Sequence, residues 1–177
     1  MAQRTPGAYE DRAAETRRTG RSALVTGLLL GVGIAGFIDE TVFHQLLQWH
    51  NLYWATDQHG RILSDGIFHT VSTLLLLAGT LRLWLDRAAA SRRVTVIGAI
   101  LIGLGGFNAY DGVVQHVMLH LHLVNEHVCA VPRSPDNSIL NCRADIPYEV
   151  AWIGVALLIL LAGLVLSRRA ATGAIQR

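Results

Sequence analysis

The sequence feature that most constrains this chain is an apolar helical stretch that carries ionisable side chains and occurs twice. Residues 31–50 are GVGIAGFIDETVFHQLLQWH, and residues 103–122 are GLGGFNAYDGVVQHVMLHLH. They align without a gap at an offset of 72, with seven identities in twenty positions. Three of the seven form a D-x4-H-x5-H pattern. Because ionisable groups are costly in lipid, a repeat that keeps them predicts a functional site.

Composition indicates a membrane protein. The chain has 177 residues, 51% of them hydrophobic, and its mean hydropathy is +0.37. The apolar runs are long enough to cross a hydrocarbon core of ~30 Å, and a chain in lipid must satisfy its backbone internally. The sequence therefore predicts an all-α fold, a polytopic four-helix membrane bundle. Its predicted parts are a disordered cytoplasmic tail at 1–21, the membrane domain at 22–168 with spans at about 24–49, 67–84, 94–119 and 148–166, and a cytoplasmic tail at 169–177.

The arginines predict how the bundle is oriented. All fifteen basic residues are Arg, and twelve of them lie in the two tails and the loop between spans two and three. The positive-inside rule then predicts a multi-pass protein of the cell membrane with both termini cytoplasmic. The loop from Leu123 to Pro147 is outside, where the pair Cys129 and Cys142 predicts a disulfide. The arginines are not concentrated on one face, so the sequence offers no nucleic-acid site.

A weaker repeat relates the second and fourth spans. The second begins Asp65-Gly-Ile-Phe-His69 and the fourth Asp145-Ile-Pro-Tyr-Glu149, so that at an offset of 80 Asp matches Asp and His69 matches Glu149. The whole chain is predicted to be two helical hairpins in the same orientation, related by a pseudo-two-fold axis along the membrane normal. Parallel repeats of this kind place sites at the interface between the repeats.

The ionisable residues of the spans are predicted to share one depth. Spans one and three leave the membrane where spans two and four enter it, so these residues all fall in the outer leaflet or at its boundary. A proton path across the membrane would need relays at several depths, and a site on one side fits the pattern better. The residues are Asp39, Glu40, His44, His50, His69, Asp111, His116, His120, His122 and Glu149.

Helical spacing suggests which of these residues act together. His116 and His120 are four apart, the spacing at which one helix offers two imidazoles to one metal. Asp39 and His44 are five apart, which is about 140° around an α-helix of ~3.6 residues per turn. They are predicted to be poor partners for one ion unless the helix bends. Glu40 is interpreted as a rim residue, because Gly112 stands at its counterpart.

The leading hypothesis is an intramembrane metal site near the outer surface. Imidazole and carboxylate ligands suit a transition metal ion such as iron, copper or zinc. Such clusters in helical bundles support di-metal oxygen chemistry, and a metal can polarise a substrate or activate water. The concrete form is a metal-dependent membrane oxidoreductase or hydrolase that acts on a lipophilic substrate. The candidate ligands, with some carboxylates as outer partners, are His44, His69, His116, His120, Glu149, Asp39, Asp111, His50 and His122.

Three other hypotheses stay open from the sequence. Histidines on facing helices can hold haem b for electron transfer, although the carboxylates at the site count against it. A non-enzymatic role is the second, as a metal-handling accessory subunit, a transporter or part of a larger membrane complex, with homodimerisation also open. The third is pH sensing, because an unperturbed histidine titrates near ~6.5.

The motifs also resemble a known family. GFIDETVFHQLLQWH, DGIFH and GFNAYDGVVQHVMLHLH are similar to those of a bacterial family of predicted four-helix integral membrane proteins of unknown function. The resemblance covers residues 22–167 and implies the same architecture, without an activity. The family pattern has Trp-His-His where this chain has Trp49-His50-Asn51, and Glu149 stands where the family has an acidic residue near the start of the fourth span.

Overall fold

Long helices account for most of the computed structural model, which describes residues 6–129 and 142–175. Within these residues, four helical stretches are long and apolar enough to cross a membrane, and the secondary structure is helical throughout. The predicted all-α, four-helix membrane bundle is therefore confirmed. The α-helices are α1 (Pro6–Ile38), α2 (Gln58–Leu85), the short α3 (Arg87–Ser91), α4 (Arg93–Tyr110) and α5 (Ile146–Ile175).

Two π-helical segments extend the first and third membrane helices. α1 continues into π1 (Asp39–Leu46), and α4 continues into π2 (Asp111–Met118). A π-helix is rare, closes i→i+5 hydrogen bonds and is common at functional sites. Here both segments begin at the Asp of the repeated motif, so the internal repeat is present in the structure as well as in the sequence.

The interface between α1 and α4 relates the two repeats. α1 packs against α4, α2 flanks α1, and α5 flanks α4. A Cβ placed on Gly31 would lie 3.0 Å from the Gly103 Cα, and one placed on Gly103 would lie 3.1 Å from the Gly31 Cα. Equivalent glycines of the two repeats therefore face each other, which is what a pseudo-two-fold axis between α1 and α4 requires. Small residues allow this close approach of helix backbones.

The N-terminal region differs from the sequence prediction. A disordered tail was expected over residues 1–21. Residues 1–5 lie outside the described part of the chain, and α1 begins at Pro6. The segment is rich in Ala, Glu and Arg, which favour helix. It also adjoins a stable helix, so it can extend that helix without a new nucleation step. At the other terminus, α5 continues through the predicted tail as far as Ile175.

One end of the bundle, called here the site end, collects both π segments and the first turns of α2 and α5. Asp57 caps α2 there by accepting a hydrogen bond of 2.8 Å from the Gly60 backbone N–H. Cys129 and Cys142 form a disulfide bond at this end. The short α3 lies at the opposite end, where Asp86 caps it by accepting from the Ala89 N–H at 2.8 Å.

Candidate metal centre

Two buried Asp-His-His triads lie at the site end. In the first, the Asp39 carboxylate oxygens lie 3.7 Å from the His44 Nε2 and 3.9 Å from the His50 Nε2. All three side chains are at most 3% exposed. One ligand atom from each lies within 4.8 Å of the other two, which is close enough for all three to hold one metal ion.

The second triad reproduces the first at an offset of 72. Asp111 carboxylate oxygens lie 3.0 Å from the His116 Nε2 and 3.7 Å from the His122 Nε2. The three side chains are again fully buried, and their ligand atoms meet the same 4.8 Å limit. Each copy of the D-x4-H-x5-H motif thus folds into one triad.

The π-helical turns bring each Asp to its first His. The sequence analysis placed Asp39 and His44 about 140° apart, because it assumed α-helical geometry. In a π-helix the hydrogen bonds run from i to i+5, so residues five apart lie one above the other. Gln45 likewise donates to the Glu40 carboxylate at 2.7 Å across five residues, although Gln115 donates to Asp111 across four. The π-helical geometry therefore allows the five-residue spacing that an α-helix does not favour.

A turn after each π segment returns the second His to the site. Gln48 has φ 53° and its counterpart His120 has φ 52°, both in the left-handed region. The chain reverses there, and the rings of His50 and His122 stack with centroids 4.7 Å apart. In each triad the two imidazole centroids are 4.5 Å apart. The two triads are thus in direct contact.

Each outer histidine is oriented by the loop of the other repeat. The His50 Nδ1–H donates to the Val124 carbonyl oxygen at 2.7 Å, and the His122 Nδ1–H donates to the Leu52 carbonyl oxygen at 3.0 Å. A carbonyl oxygen only accepts, so Nδ1 must carry the proton. Burial holds the pKa of both rings well below the usual value. Both are therefore neutral, with the Nε2 lone pair free to bind a metal.

The inner histidines are oriented by carboxylates. The His44 Nδ1 lies 3.2 Å from the Asp65 Oδ1 and 3.0 Å from the Glu40 Oε2. The His116 Nδ1 lies 3.0 Å from the Glu149 Oε2. A metal-binding histidine commonly donates its other N–H to a carboxylate or a carbonyl, which fixes the ring and raises its basicity. All four rings show this arrangement.

Most of the inward-facing atoms of the site lack hydrogen-bond partners. Among the side chains that the structure describes, the buried atoms without a partner include the Nε2 of His44, His50 and His122 and the Asp39 Oδ1, whereas the His116 Nε2 and the Asp111 Oδ2 lie 3.0 Å apart. Buried polar atoms are normally satisfied, and a cation at the centre of the cluster would satisfy these. Ligands held about 2.1 Å from one ion lie roughly 3.0–3.4 Å apart. The observed separations of 3.0–3.9 Å between Nε2 and carboxylate oxygens suit such an ion.

A third group, Glu40, His44 and Asp65, also has ligand atoms within 4.8 Å of one another. It uses the Nδ1 of His44, which already hydrogen-bonds to Asp65. Asp65 in turn accepts from the Leu52 backbone N–H and the Asn51 side chain, both at 2.7 Å. We therefore interpret this group as support for the first triad.

Three of the nine predicted ligands lie outside the triads. Glu149 contacts the His116 Nδ1, and the other two are His69 and His120. His69 packs its ring against Phe37, with centroids 5.3 Å apart. His120 lies beyond the end of π2 at Met118, and its Nδ1–H donates to the His116 carbonyl oxygen at 3.1 Å. The helix-face argument for pairing His116 with His120 fails because the helix ends between them.

The carboxylates that orient the histidines break the symmetry of the repeat. Asp65 accepts hydrogen bonds from both the His44 ring and the Leu52 backbone N–H. Its counterpart Asp145 instead accepts from the Val124 and Asn125 backbone N–H groups, at 3.2 and 2.8 Å. Glu149 takes over the contact with histidine. A Cβ on Gly112 would lie 3.3 Å from the Glu149 Oε1, so glycine leaves room for this carboxylate.

Sequence reasoning underestimated Asp65 and Glu40. It noted Asp65 as part of the weaker repeat, without a role at the site, and it placed Glu40 at a rim. The structure has both buried against the His44 ring. The Asp65–Asp145 match was the signal that could have found the first of them.

Comparison with known proteins gives a family and no activity. No curated protein and no solved structure matches the chain. One protein family matches residues 26–170, a range that includes both triads and their supporting carboxylates. The chain belongs to this family, which is described as Predicted membrane protein (DUF2243).

Proposed function

We propose that the two triads bind a pair of transition-metal ions, and that the protein is a metal-dependent membrane oxidoreductase or hydrolase. One observation carries the proposal: each of the four imidazoles directs Nδ1 to an acceptor and Nε2 to the buried centre. Packing alone does not require four rings to be oriented in the same sense. Metal ligation through Nε2 requires this orientation.

The donor set favours iron or zinc. Each triad offers two imidazoles and one carboxylate, the combination typical of non-haem iron sites with open positions, and imidazole and carboxylate also suit zinc. Copper also accepts imidazole, although the triads contain no sulfur ligand of the kind that selects Cu(I). When bound, such an ion would polarise a substrate oxygen or lower the pKa of a coordinated water.

The same geometry gives haem b little support. Carboxylate oxygens lie within 3.0–3.9 Å of each Nε2, on the side where a porphyrin would have to bind. The rings of different triads are also in contact, with His50 and His122 stacked at 4.7 Å. A flat, apolar macrocycle does not fit between them.

A polar cavity gives ions and water a route to the site. It has a volume of about 500 Å³ at the site end, and its lining includes His44, His50, Asp65 and Arg61. We infer that the site end faces the outside of the cell and that both termini are cytoplasmic. The arginine distribution supports this orientation, and so does the disulfide, since such bonds persist in oxidising compartments.

The experiment is a metal count on detergent-purified protein by full elemental analysis. We expect about two ions per chain in the wild type, about one in His44→Ala and in His116→Ala, and none in the double variant. His69→Ala and His120→Ala are matched controls that should keep both ions, because neither ring belongs to a triad. A wild type without stoichiometric metal, or a count unchanged in the double variant, would reject the metal centre.

A further inference from the structure

An apolar cavity opens beside the first triad. It has a volume of about 410 Å³ and lies between α1, π1, α4 and α5, within the range of ~300–1,000 Å³ typical of small-molecule sites. Its lining is almost wholly apolar or aromatic, and Asp39 of the first triad is its one acidic residue. The walls belong to helices long enough to span a membrane, so a molecule in the cavity would come from the lipid.

Aromatic rings form the part of the cavity nearest the site. Phe43 lies edge-on to Trp152 with centroids 5.0 Å apart and tilted to Trp49 at 5.3 Å. Trp49 in turn lies edge-on to Tyr148 at 5.6 Å. Such walls favour a flat ring, which pairs with them by stacking or edge-to-face contact. Asp39 supplies the one carboxylate among the lining residues, and a carboxylate can accept a hydrogen bond from a hydroxyl group.

The pseudo-symmetric position in the other repeat is filled. Phe107 is the counterpart of Ala35 and Phe68 the counterpart of Tyr148, at the offsets of 72 and 80 that relate the repeats. These two phenylalanines stack with centroids 5.9 Å apart and an interplanar angle of 12°. The chain therefore plugs one of two equivalent spaces with its own rings and leaves the other open. Imperfect packing alone would not be expected to leave a space open in one repeat at the position that aromatic rings fill in the other.

The residues between the helices also differ in size at this position. Trp152 Nε1 donates to the Asn108 carbonyl oxygen at 3.2 Å, so a large indole lies between α5 and α4 there. In the other repeat, Gly36 and Ser72 occupy the corresponding positions. A Cβ on Gly36 would lie 3.1 Å from the Ser72 Cβ, so those helices are in direct contact.

We propose that this cavity binds the substrate of the metal centre, and that the substrate is a phenol- or quinol-type lipid. Its hydroxylated ring would lie between the aromatic walls with the hydroxyl directed to Asp39, and its apolar tail would extend into the bilayer. As an assignment of substrate, the proposal rests on the proposed metal centre. As an assignment of a binding site, it can be tested separately.

Native mass spectrometry of the detergent-solubilised protein tests both in one spectrum, because it counts metal ions and lipid adducts together. The probe is 4-decylphenol, with decanol (hydroxyl without ring) and decylbenzene (ring without hydroxyl) as matched probes. Ala35→Phe copies the plug of the other repeat, and Ala151→Phe fills the rim of the same cavity. Leu158→Phe, on the exposed face of α5 and outside the cavity lining, is the control variant.

We expect one 4-decylphenol adduct per chain in the wild type and in Leu158→Phe, and an adduct at least tenfold weaker in both cavity variants with the metal count unchanged. Decanol and decylbenzene should bind more weakly than 4-decylphenol. No adduct in the wild type, equal adducts in the two cavity variants, or equal binding of all three probes would overturn the proposal. A wild type without metal would overturn the proposed function, whatever the adducts show.

Discussion

At the scale of single residues, the site is defined by which atom of each ring faces inward. The Nδ1 of His50 and of His122 is held by a backbone carbonyl, and the Nδ1 of His44 and of His116 by carboxylates. These outer partners fix the tautomer and so determine whether the Nε2 atoms can bind. A residue that contacts no ion can therefore control metal affinity.

Glu149→Ala should weaken metal binding by the second triad about 10–100-fold, because the His116 Nδ1 loses the carboxylate that it contacts outside the triad. Competition against a chelator of known affinity would measure this loss. Asp145→Asn is the matched control, since Asp145 accepts from backbone N–H groups in the same region. If both variants change affinity equally, the effect is one of folding, and Glu149 does not act through His116.

A pH effect is expected from Glu126, which lies outside the membrane spans. Burial, only partly opposed by Arg61, raises the pKa of its carboxyl group from 4.5 to about 7. A raised carboxyl pKa means that the folded state holds the proton more tightly, so its contribution to stability is complete below pH ~4.5 and is lost as pH rises towards ~7. Above pH ~7 the loss is about 3 kcal/mol.

Glu126→Gln should therefore remove this part of the pH dependence. Thermal unfolding in detergent between pH 5 and 8 would compare the two proteins, with the histidines titrating alike in both. The wild type should lose more stability than the variant across this range. Parallel curves would show that Glu126 ionises normally.

At the scale of helices, the repeat predicted the pairing of the two motifs but not their local geometry. The offset of 72 marked the three residues of each triad as a repeated motif, and together with the offset of 80 it predicted two related hairpins. The π-helical turns could not be inferred, because α-helical spacing was the default for an apolar run, and it separated Asp39 from His44. For the same reason His120 was assigned to a helix face, although a turn with positive φ begins there.

The glycines of the membrane helices illustrate the same limit. Gly31 faces the backbone of α4, with the Gly103 Cα 3.0 Å from a Cβ placed on it. Gly106, however, has no atom within 4 Å of such a Cβ. Hydropathy does not show which side of a buried helix faces a neighbour, so the sequence could not separate the two.

Gly31→Ala should destabilise the protein by more than about 2 kcal/mol, because its Cβ must displace backbone atoms of α4. Since the α1–α4 interface aligns the triads, metal should be lost as well. Gly106→Ala is the control and should be neutral or stabilising by about 0.5–1 kcal/mol, the usual gain in a helix interior. Thermal melting and metal content would be measured for both variants. Equal stability and equal metal content in the two would contradict the assignment of Gly31 to the α1–α4 interface.

At the scale of the whole molecule, two cavities of different polarity border the first triad. The polar cavity at the site end includes His44 and His50 in its lining, and the apolar cavity between α1 and α5 includes Asp39. The first triad thus has a polar side and an apolar side. The sequence predicted a one-sided site, but cavities arise from packing between distant segments and have no sequence signature.

The orientation of this arrangement predicts where the cysteines react. If the site end is outside, a membrane-impermeant maleimide should label Cys129 and Cys142 in intact spheroplasts, and only after their disulfide has been reduced. Ala170→Cys in a chain with both native cysteines replaced by Ala is the matched control. It lies near the C-terminal end of α5, at the opposite end of the bundle, and should react only after permeabilisation. Labelling of Ala170→Cys in intact spheroplasts, with protection of the native pair, would place the site end in the cytoplasm. The aqueous cavity would then open to the cytoplasm and the arginine rule would fail for this chain.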